Sequence, residues 1–352
     1  MSGQPDKLEN NKTAQILFWL GMALYLLTRL IALDKFPIYF FSDEAIQTMS
    51  AFDLINREFR DLQGNLFPVF FENGQQFNLS LSVWLQVLIA WLPRSVWLTR
   101  GLPALISLVF PLSVSLWARD FIKSKHWWLA PFIISALPAW FLHSRTAFET
   151  SLGVSFYSLF ILFYLKYRLQ NRKHLPLALL FGACAFYAYA PVQLVVGFTG
   201  LALLAADWRY HFQSKKSLVV GLVTLALLAA PYFLFRFRHQ QALGTHLHLL
   251  SSYWVSNIPF INKLGIFLGK SLKGLNPLYW FFTNEADLVR HQMKGLGHLP
   301  WFLLPFFLIG LWQSLRNWKQ PAHRLALLAL LVGPVGAAVA DIAITRVLVT
   351  VV

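Results

Sequence analysis

Long apolar runs joined by short, mainly basic links set the pattern of this chain. A helix needs about 20 apolar residues to cross a bilayer, with roughly 17 to 25 tolerated. Nine runs come near that length: 14–33, 101–118, 127–142, 151–165, 175–189, 192–206, 218–235, 300–315 and 325–340. A tenth starts at Val347 and stops at Val352, too short to span. The chain is therefore expected to end inside a helix, as an N-terminal portion of a longer protein with its C-terminal part missing, or as a truncated one. The first run follows a polar tail, residues 1–13, with no cleavable signal in view, and reads as a retained signal anchor. No strand-rich stretch or internal repeat interrupts the pattern. It predicts an all-α polytopic membrane protein of about ten transmembrane helices, the last truncated, in a single membrane domain over 1–352.

One more run, 77–92, decides the topology. Its sixteen residues would make a helix of about 24 Å at 1.5 Å per residue, short of the roughly 30 Å hydrocarbon core. It carries Asn78, Ser80, Ser82 and Gln86, and Pro93 closes it. If it spanned, the basic links 166–173 and 209–216 would fall outside. If it lies in the interface, they fall inside with 119–125, 316–324 and the N-terminal tail, gathering 15 Lys and Arg in five short segments. The bias of cationic residues to the inner face selects the second arrangement, so 77–92 is expected to be an interfacial helix. Two long segments then face outward, loop one (34–100) and loop two (236–299).

Composition narrows the class. Of 352 residues, 57% are hydrophobic and 13% charged, against roughly a quarter charged in soluble domains. That excludes a disordered chain, a coiled coil and a soluble enzyme. The net charge of +15 is accounted for by basic residues flanking membrane spans, so no nucleic-acid partner is inferred. Cys184 is the only cysteine, which excludes a disulfide framework and a cysteine metal site. Loop one holds seven of the fifteen acids: Asp34, Asp43, Glu44, Asp53, Glu58, Asp61 and Glu72. Such crowding fits an aqueous site at the membrane surface, and also a plainly solvated loop.

Several short constellations could carry chemistry. In Phe41-Ser42-Asp43-Glu44-Ala45, Ser42 or Asp43 could simply cap a short helix with acids near its positive end. A carboxylate just above the bilayer is also what a general base for a lipid-borne substrate requires. Arg100 opens the run after loop one, either as an anchor reaching the interface or as a ligand. Arg145 and Glu149 are four apart and would pair on a helix. Arg236 and Arg238 leave a span on the face where cations are disfavoured, which an anionic ligand would explain. Farther on stand Asn284-Glu285-Ala286-Asp287, Arg290-His291 and Gly295-Leu296-Gly297, and Asp341 and Arg346 bracket the last outer turn.

A first span followed by Asp43-Glu44 in the first outer loop resembles the C-type membrane glycosyltransferases, which include protein O-mannosyltransferases and the aminoarabinose transferase of lipid A. The resemblance extends over nearly the whole chain as topology. It implies a polyprenyl-phosphate sugar as donor and Asp43 as the base, with Glu44 beside it. Glu72 of Phe71-Glu72-Asn73-Gly74 matches a second acid of the same loop, although relatives often continue with Lys or Pro-Pro. Arg100 of Thr99-Arg100-Gly101-Leu102-Pro103 matches an Arg that opens the next span. Arg145 and Glu149 match an Arg and acid of the following outer turn, Arg290-His291 an Arg-His before a Gly-rich entry to a span, and Arg346 an Arg of the last turn.

The expected protein is thus a glycosyltransferase of the bacterial plasma membrane with its site on the outer face. It would pass a hexosyl or pentosyl group from the polyprenyl phosphate to a lipid, glycan or protein acceptor by inverting displacement. Asp43, Glu44 and Glu72 form the expected catalytic set; Arg100, Arg145, Glu149, Arg236, Arg238, Arg290 and His291 bind substrate. Of these, Arg100, Arg236 and Arg238 are expected to hold the donor phosphate. Glu44→Gln is expected to be milder than Asp43→Asn. No cofactor is implied; a divalent cation between Asp43 and Glu72 is left open, since no His or Cys completes a site. The rivals are a lipid or solute transporter, disfavoured by the few mid-span charges, and a surface-polysaccharide polymerase or ligase.

Overall fold

The computed structural model describes residues 12–352; the first eleven residues of the polar tail lie outside it. The chain is helical, as the apolar runs require. Helix α1 (Lys12–Leu30) leads to a cap made of α2 (Ser42–Asn56), a hairpin of β1 (Phe71–Asn73) and β2 (Gln76–Leu79), and α3 (Leu81–Val87). Next come α4 (Val96–Ile106), α5 (Val109–Asp120), α6 (Ala130–Ser135), α7 (Pro138–His143), α8 (Glu149–Leu169), α9 (Leu175–Ala188), α10 (Ala190–Ala206), α11 (Trp208–Phe212) and α12 (Lys215–Arg238). A second cap carries α13 (Ala242–Leu249), α14 (Phe260–Gly274) and α15 (Pro277–Phe281), and α16 (Leu304–Arg316), α17 (Pro321–Val332), α18 (Val335–Ala338) and α19 (Ile344–Val347) complete the chain.

Among the described residues, five helical segments are long and apolar enough to cross a membrane: α1, α4–α5, α8, α12 and α17–α18. Two shorter apolar ones are α10 and Trp301–Arg316. The expectation of about ten came from apolar runs, and several runs do not become single long helices. Run 127–142 breaks between α6 and α7, where Pro138 has no N–H to offer the Ile134 carbonyl. Arg29 of α1 donates to that carbonyl instead, at 3.4 Å. Run 175–189 yields the 14-residue α9, and 347–352 is a short helical tail.

Helix α8 is the axis of the core. It packs against α5, α9 and α17, with Val154, Tyr157 and Leu165 fully buried. Its buried serines return their hydroxyls to their own helix, Ser155 to Ser151 O at 2.7 Å and Ser158 to Ser155 O at 2.7 Å, so none is left unpaired in an apolar setting. Across the core, Tyr25, Ser107 and Trp140 form a closed polar contact, with Tyr25 Oη 2.7 Å from Ser107 Oγ and accepting from Trp140 Nε1 at 2.9 Å.

The grouping of basic links is visible as contact. Asp207 accepts from Arg324 at 2.6 Å and pairs with Arg168 at 3.0 Å, and Tyr164 donates to it at 2.7 Å. Three basic links therefore meet on one side of the bundle. Loop one also returns to the side it left. Arg100, entering α4, donates to Leu33 O at 3.0 Å and Ile38 O at 3.1 Å. A crossing at 77–92 would have put those residues on opposite faces.

That segment is nevertheless not the helix expected. Only Leu81–Val87 is α-helical, and residues 76–79 pair with 71–73 as a hairpin. The polar alternation Gln76, Asn78, Ser80 suits a strand with one buried face better than a helix. A two-stranded hairpin is marginal alone; here Phe71 and Leu79 are buried against Ala51, Leu54 and Val83 of α2 and α3. The junction of α12 with the second cap clamps it too: the Phe77 ring lies 5.4 Å from Phe235 and 4.8 Å from His239. In that cap, α14 leaves Phe260, Ile261, Leu268 and Leu272 exposed and turns Lys263 back to Trp254 O at 2.7 Å, the make-up of a helix lying in an interface.

Candidate active site

The site is built around the start of α2. Asp43 and Glu44 both occupy its first turn, near the positive helix end. Neighbours on a helix point about 100° apart, and the two carboxylates go to different places.

Glu44 turns inward and is fully buried. It forms an ion pair with Arg100 at 2.7 Å, both side chains at 0% exposure. Arg100 spends its remaining donors on Leu33, Ile38 and Tyr39 carbonyls at 3.0 to 3.3 Å. Burial pushes the Glu44 carboxyl above its ordinary range, more than Arg100 and the Ala147 backbone pull it down. The expectation of Arg100 as a donor-phosphate ligand does not fit this geometry: its guanidinium is enclosed and occupied, and ties the ends of loop one together.

Arg145 differs from expectation in the same way. It sits in the turn before α8 and pairs with no acid among the described residues, Glu149 included. Its guanidinium meets the carbonyls of Thr28, Ile31 at 2.6 Å and Ala32 at 3.2 Å. Those are carbonyls at the end of α1, which lack intrahelical donors; a cation there also complements the negative helix end. Glu149, the first residue of α8, is 8% exposed and is an electrostatic neighbour of Asp43.

Asp43 is half-buried. Burial raises its carboxyl above the usual carboxylate range, against a hydrogen bond with Asn73 and the positive charge of Arg290. Arg290 lies 4.8 Å from the centre of the Phe41 ring and comes from the second cap, 247 residues away in sequence. His291 beside it stacks on His143 at 5.4 Å and meets Phe148 edge-on at 5.8 Å. Burial, with His143 and Arg290 nearby, lowers His291 to about 3, so it is a neutral imidazole at working pH. Asp43 of loop one, Glu149 of α8, and Arg290 and His291 of the second cap are thus brought into one neighbourhood.

Glu72 is not brought to Asp43. It is exposed and accepts from Gln63 Nε2 at 2.6 Å. Strand side chains alternate, so Asn73, the next residue, projects from the opposite face of β1. Asp43 and Glu72 do not converge on a shared cation position, and among the described residues no group of three or more His, Cys, Asp or Glu is arranged to hold a metal. Arg236 is half-buried and Arg238 exposed at the end of α12, where no hydrogen bond or ion pair within the described residues engages either guanidinium.

The solved structures bear on this geometry. The chain aligns over 97% of its length with ArnT from Cupriavidus metallidurans, in the apo state and bound to undecaprenyl phosphate, at a TM-score of 0.63 in both cases. It has the ArnT fold. Sequence identity to ArnT is 13%, and the chain spans 58% of the length of those ArnT chains. No family model and no curated protein sequence matches it. The fold agrees with the one implied by the resemblance to C-type membrane glycosyltransferases.

Sequence reading gave no role to three residues. Asp287 accepts from His298 at 2.9 Å, Tyr279 at 2.8 Å and Ile344 N at 2.6 Å. Burial would raise its carboxyl, but those hydrogen bonds outweigh it and hold Asp287 below its usual range. It fixes the turn that presents Arg290. Asn73 and Gln76 were the others; their only signal was a pair of amides flanking a glycine.

Proposed function

We propose that this chain is an integral-membrane glycosyltransferase acting on a polyprenyl-phosphate sugar at the outer face of a bacterial plasma membrane. The observation that carries the reading is Asp43: a half-buried carboxylate at the head of α2, facing Arg290 and Glu149, in the fold of ArnT. The ArnT structure bound to undecaprenyl phosphate supports the donor class. Asp43 Oδ takes the proton of an acceptor hydroxyl or amine. The acceptor lone pair forms the bond to the anomeric carbon, and the carbon–oxygen bond to phosphate breaks with its electrons on the phosphate, inverting the centre. Polyprenyl phosphate leaves as a stable anion, so no general acid is required. Arg290, Arg236 and Arg238 meet the growing phosphate charge, and Glu149 and His291 line the sugar or acceptor. Arg100, Glu44 and Arg145 hold the frame, and Glu72 stands at its outer surface. The direct test is incubation with short-chain polyprenyl-phosphate sugars: polyprenyl phosphate should be released, and no release from any hexosyl or pentosyl donor would refute the assignment.

Two further outcomes follow. In intact cells an impermeant thiol reagent should label a cysteine at Ser95 and spare one at Lys123; the reverse would invert the orientation. At the end of α12, Arg236→Ala and Arg238→Ala should weaken donor binding or slow transfer, each by about 1.5–3 kcal/mol for a lost hydrogen bond to a charged group. The Lys variants should recover part of this, because an ammonium keeps the charge without the fork of donors. Wild-type kinetics in both Ala variants would remove these arginines from the phosphate site.

A further inference from the structure

A small cavity lies in the first cap, lined by Thr48 and Phe52 of α2, Gln86 of α3, Thr99 of α4 and Arg94 from the link between α3 and α4. It holds about 20 Å³, room for one water-sized group. The protons around it are spent inward. Thr48 Oγ1 gives its only proton to Glu44 O at 3.1 Å, so in the 3.1 Å contact between the two threonines Thr99 Oγ1 is the donor. Gln86 donates Nε2 to Thr99 O at 2.9 Å, which fixes the amide with Oε1 at its other end. That oxygen has no partner among the described residues, although Gln86 is only 2% exposed. A buried acceptor left unpaired is costly. The groups left over are thus an orphaned acceptor, Gln86 Oε1, and the free lone pairs of Thr99 Oγ1.

Arg94 brings a positive charge to the same place. Its guanidinium lies 3.7 Å from the centre of the Phe52 ring and 3.4 Å from Met49 Sδ, and no acid among the described residues pairs with it. Leu88, Trp91 and Trp97, close by in the chain, are exposed, the make-up of a membrane–water interface. We propose that this cavity binds the headgroup of a phospholipid whose phosphodiester carries a primary ammonium. The ammonium enters the cavity and donates to Gln86 Oε1 and Thr99 Oγ1. The phosphodiester, a few atoms behind, takes a charge-assisted bond from Arg94, and the acyl chains meet Leu88 and Trp91. A cation alone would be repelled by Arg94, and an anion alone would leave Gln86 Oε1 unpaired. A zwitterion with its ammonium ahead of its phosphate satisfies both. A trimethylammonium head has no N–H to give and is too large for the space. Once bound, the headgroup ties α2, which carries Asp43, to the start of α4. The site is separate from Asp43 and does not depend on the reaction assigned to it.

The test is native mass spectrometry of the full chain in detergent micelles, titrated with phospholipids of matched acyl chains. Phosphatidylethanolamine should bind at least about tenfold more tightly than phosphatidylcholine, the scale of one hydrogen bond to a charged group. Gln86→Leu should abolish that preference. Arg94→Gln, a change on an exposed side chain and so safe for folding, should weaken phosphatidylethanolamine binding by about tenfold. Soluble glycerophosphoethanolamine, which has the head without the chains, should compete only weakly. Equal affinity for the two lipids in wild type, the result a single bound water would give, would overturn the proposal. So would unchanged phosphatidylethanolamine affinity in both variants. Phosphatidylglycerol bound as tightly as phosphatidylethanolamine would show that phosphate alone is read, and the ammonium site would fall. Glycerophosphoethanolamine bound as tightly as the lipid would make the occupant a soluble compound and end the lipid assignment.

Discussion

Asp43→Asn should leave the protein folded and able to bind donor, yet lower turnover by at least ~10²-fold, the usual contribution of a positioned general base. The substitution preserves shape and removes the basic lone pair. Because the native carboxyl is raised by burial, wild-type activity should also fall on the acid side at a pH above that of an ordinary aspartate, as the base becomes protonated. The check is a pH series of polyprenyl-phosphate release by wild type and variant, with donor binding measured in parallel. Near-normal turnover by the purified variant would end the proposed mechanism. Lost donor binding would mean that Asp43 contributes to the ground state, and the role of base would have to be moved.

The second large effect concerns stability. Breaking the Glu44–Arg100 pair by Glu44→Gln or Arg100→Met should destabilise the protein by about 3–5 kcal/mol, since either change strands a buried partner. Both side chains are fully enclosed, so water cannot repair the loss. This cost falls on folding; in turnover Glu44→Gln is still expected to be milder than Asp43→Asn. Replacing both together, Glu44→Leu with Arg100→Met, should recover much of the loss, because a buried ion pair is often no better than apolar packing. The recovery should be incomplete, since Arg100 also serves the Leu33, Ile38 and Tyr39 carbonyls. Thermal unfolding of the four forms in one detergent measures the cycle. Equal stability of wild type and both single variants would show the pair to be dispensable.

These two acids show how far the sequence can be read. Adjacent in the chain and alike in chemistry, Asp43 and Glu44 are separated by a rotation of one helical step, and only the neighbours supplied by α4 and the caps give them different roles. The arginines teach the same lesson. Arg100, Arg145, Arg236 and Arg238 all stand at ends of apolar runs, and from sequence each could meet a phosphate. In the fold, Arg100 and Arg145 are consumed by carbonyls lying 61 to 117 residues away, while Arg236 and Arg238 are not so engaged. Glu72 shows the same limit: its strand turns it outward, where Gln63 donates to its carboxylate.

Local and additive physics could be read from the chain alone. Apolar runs set the helices, because burying backbone polar groups in lipid leaves few other solutions. The parity of basic links put 166–173, 209–216 and 316–324 on one side; in the fold Arg172 reaches Gln213, and Arg168 and Arg324 share Asp207 just ahead of the second link, and loop one returns to the side it left, as Arg100 and Leu33 do. Tertiary structure decided which runs break, which charges are occupied and which face the site. Those outcomes turn on acceptors and donors brought from distant segments, and a residue's own type and spacing carry no record of them.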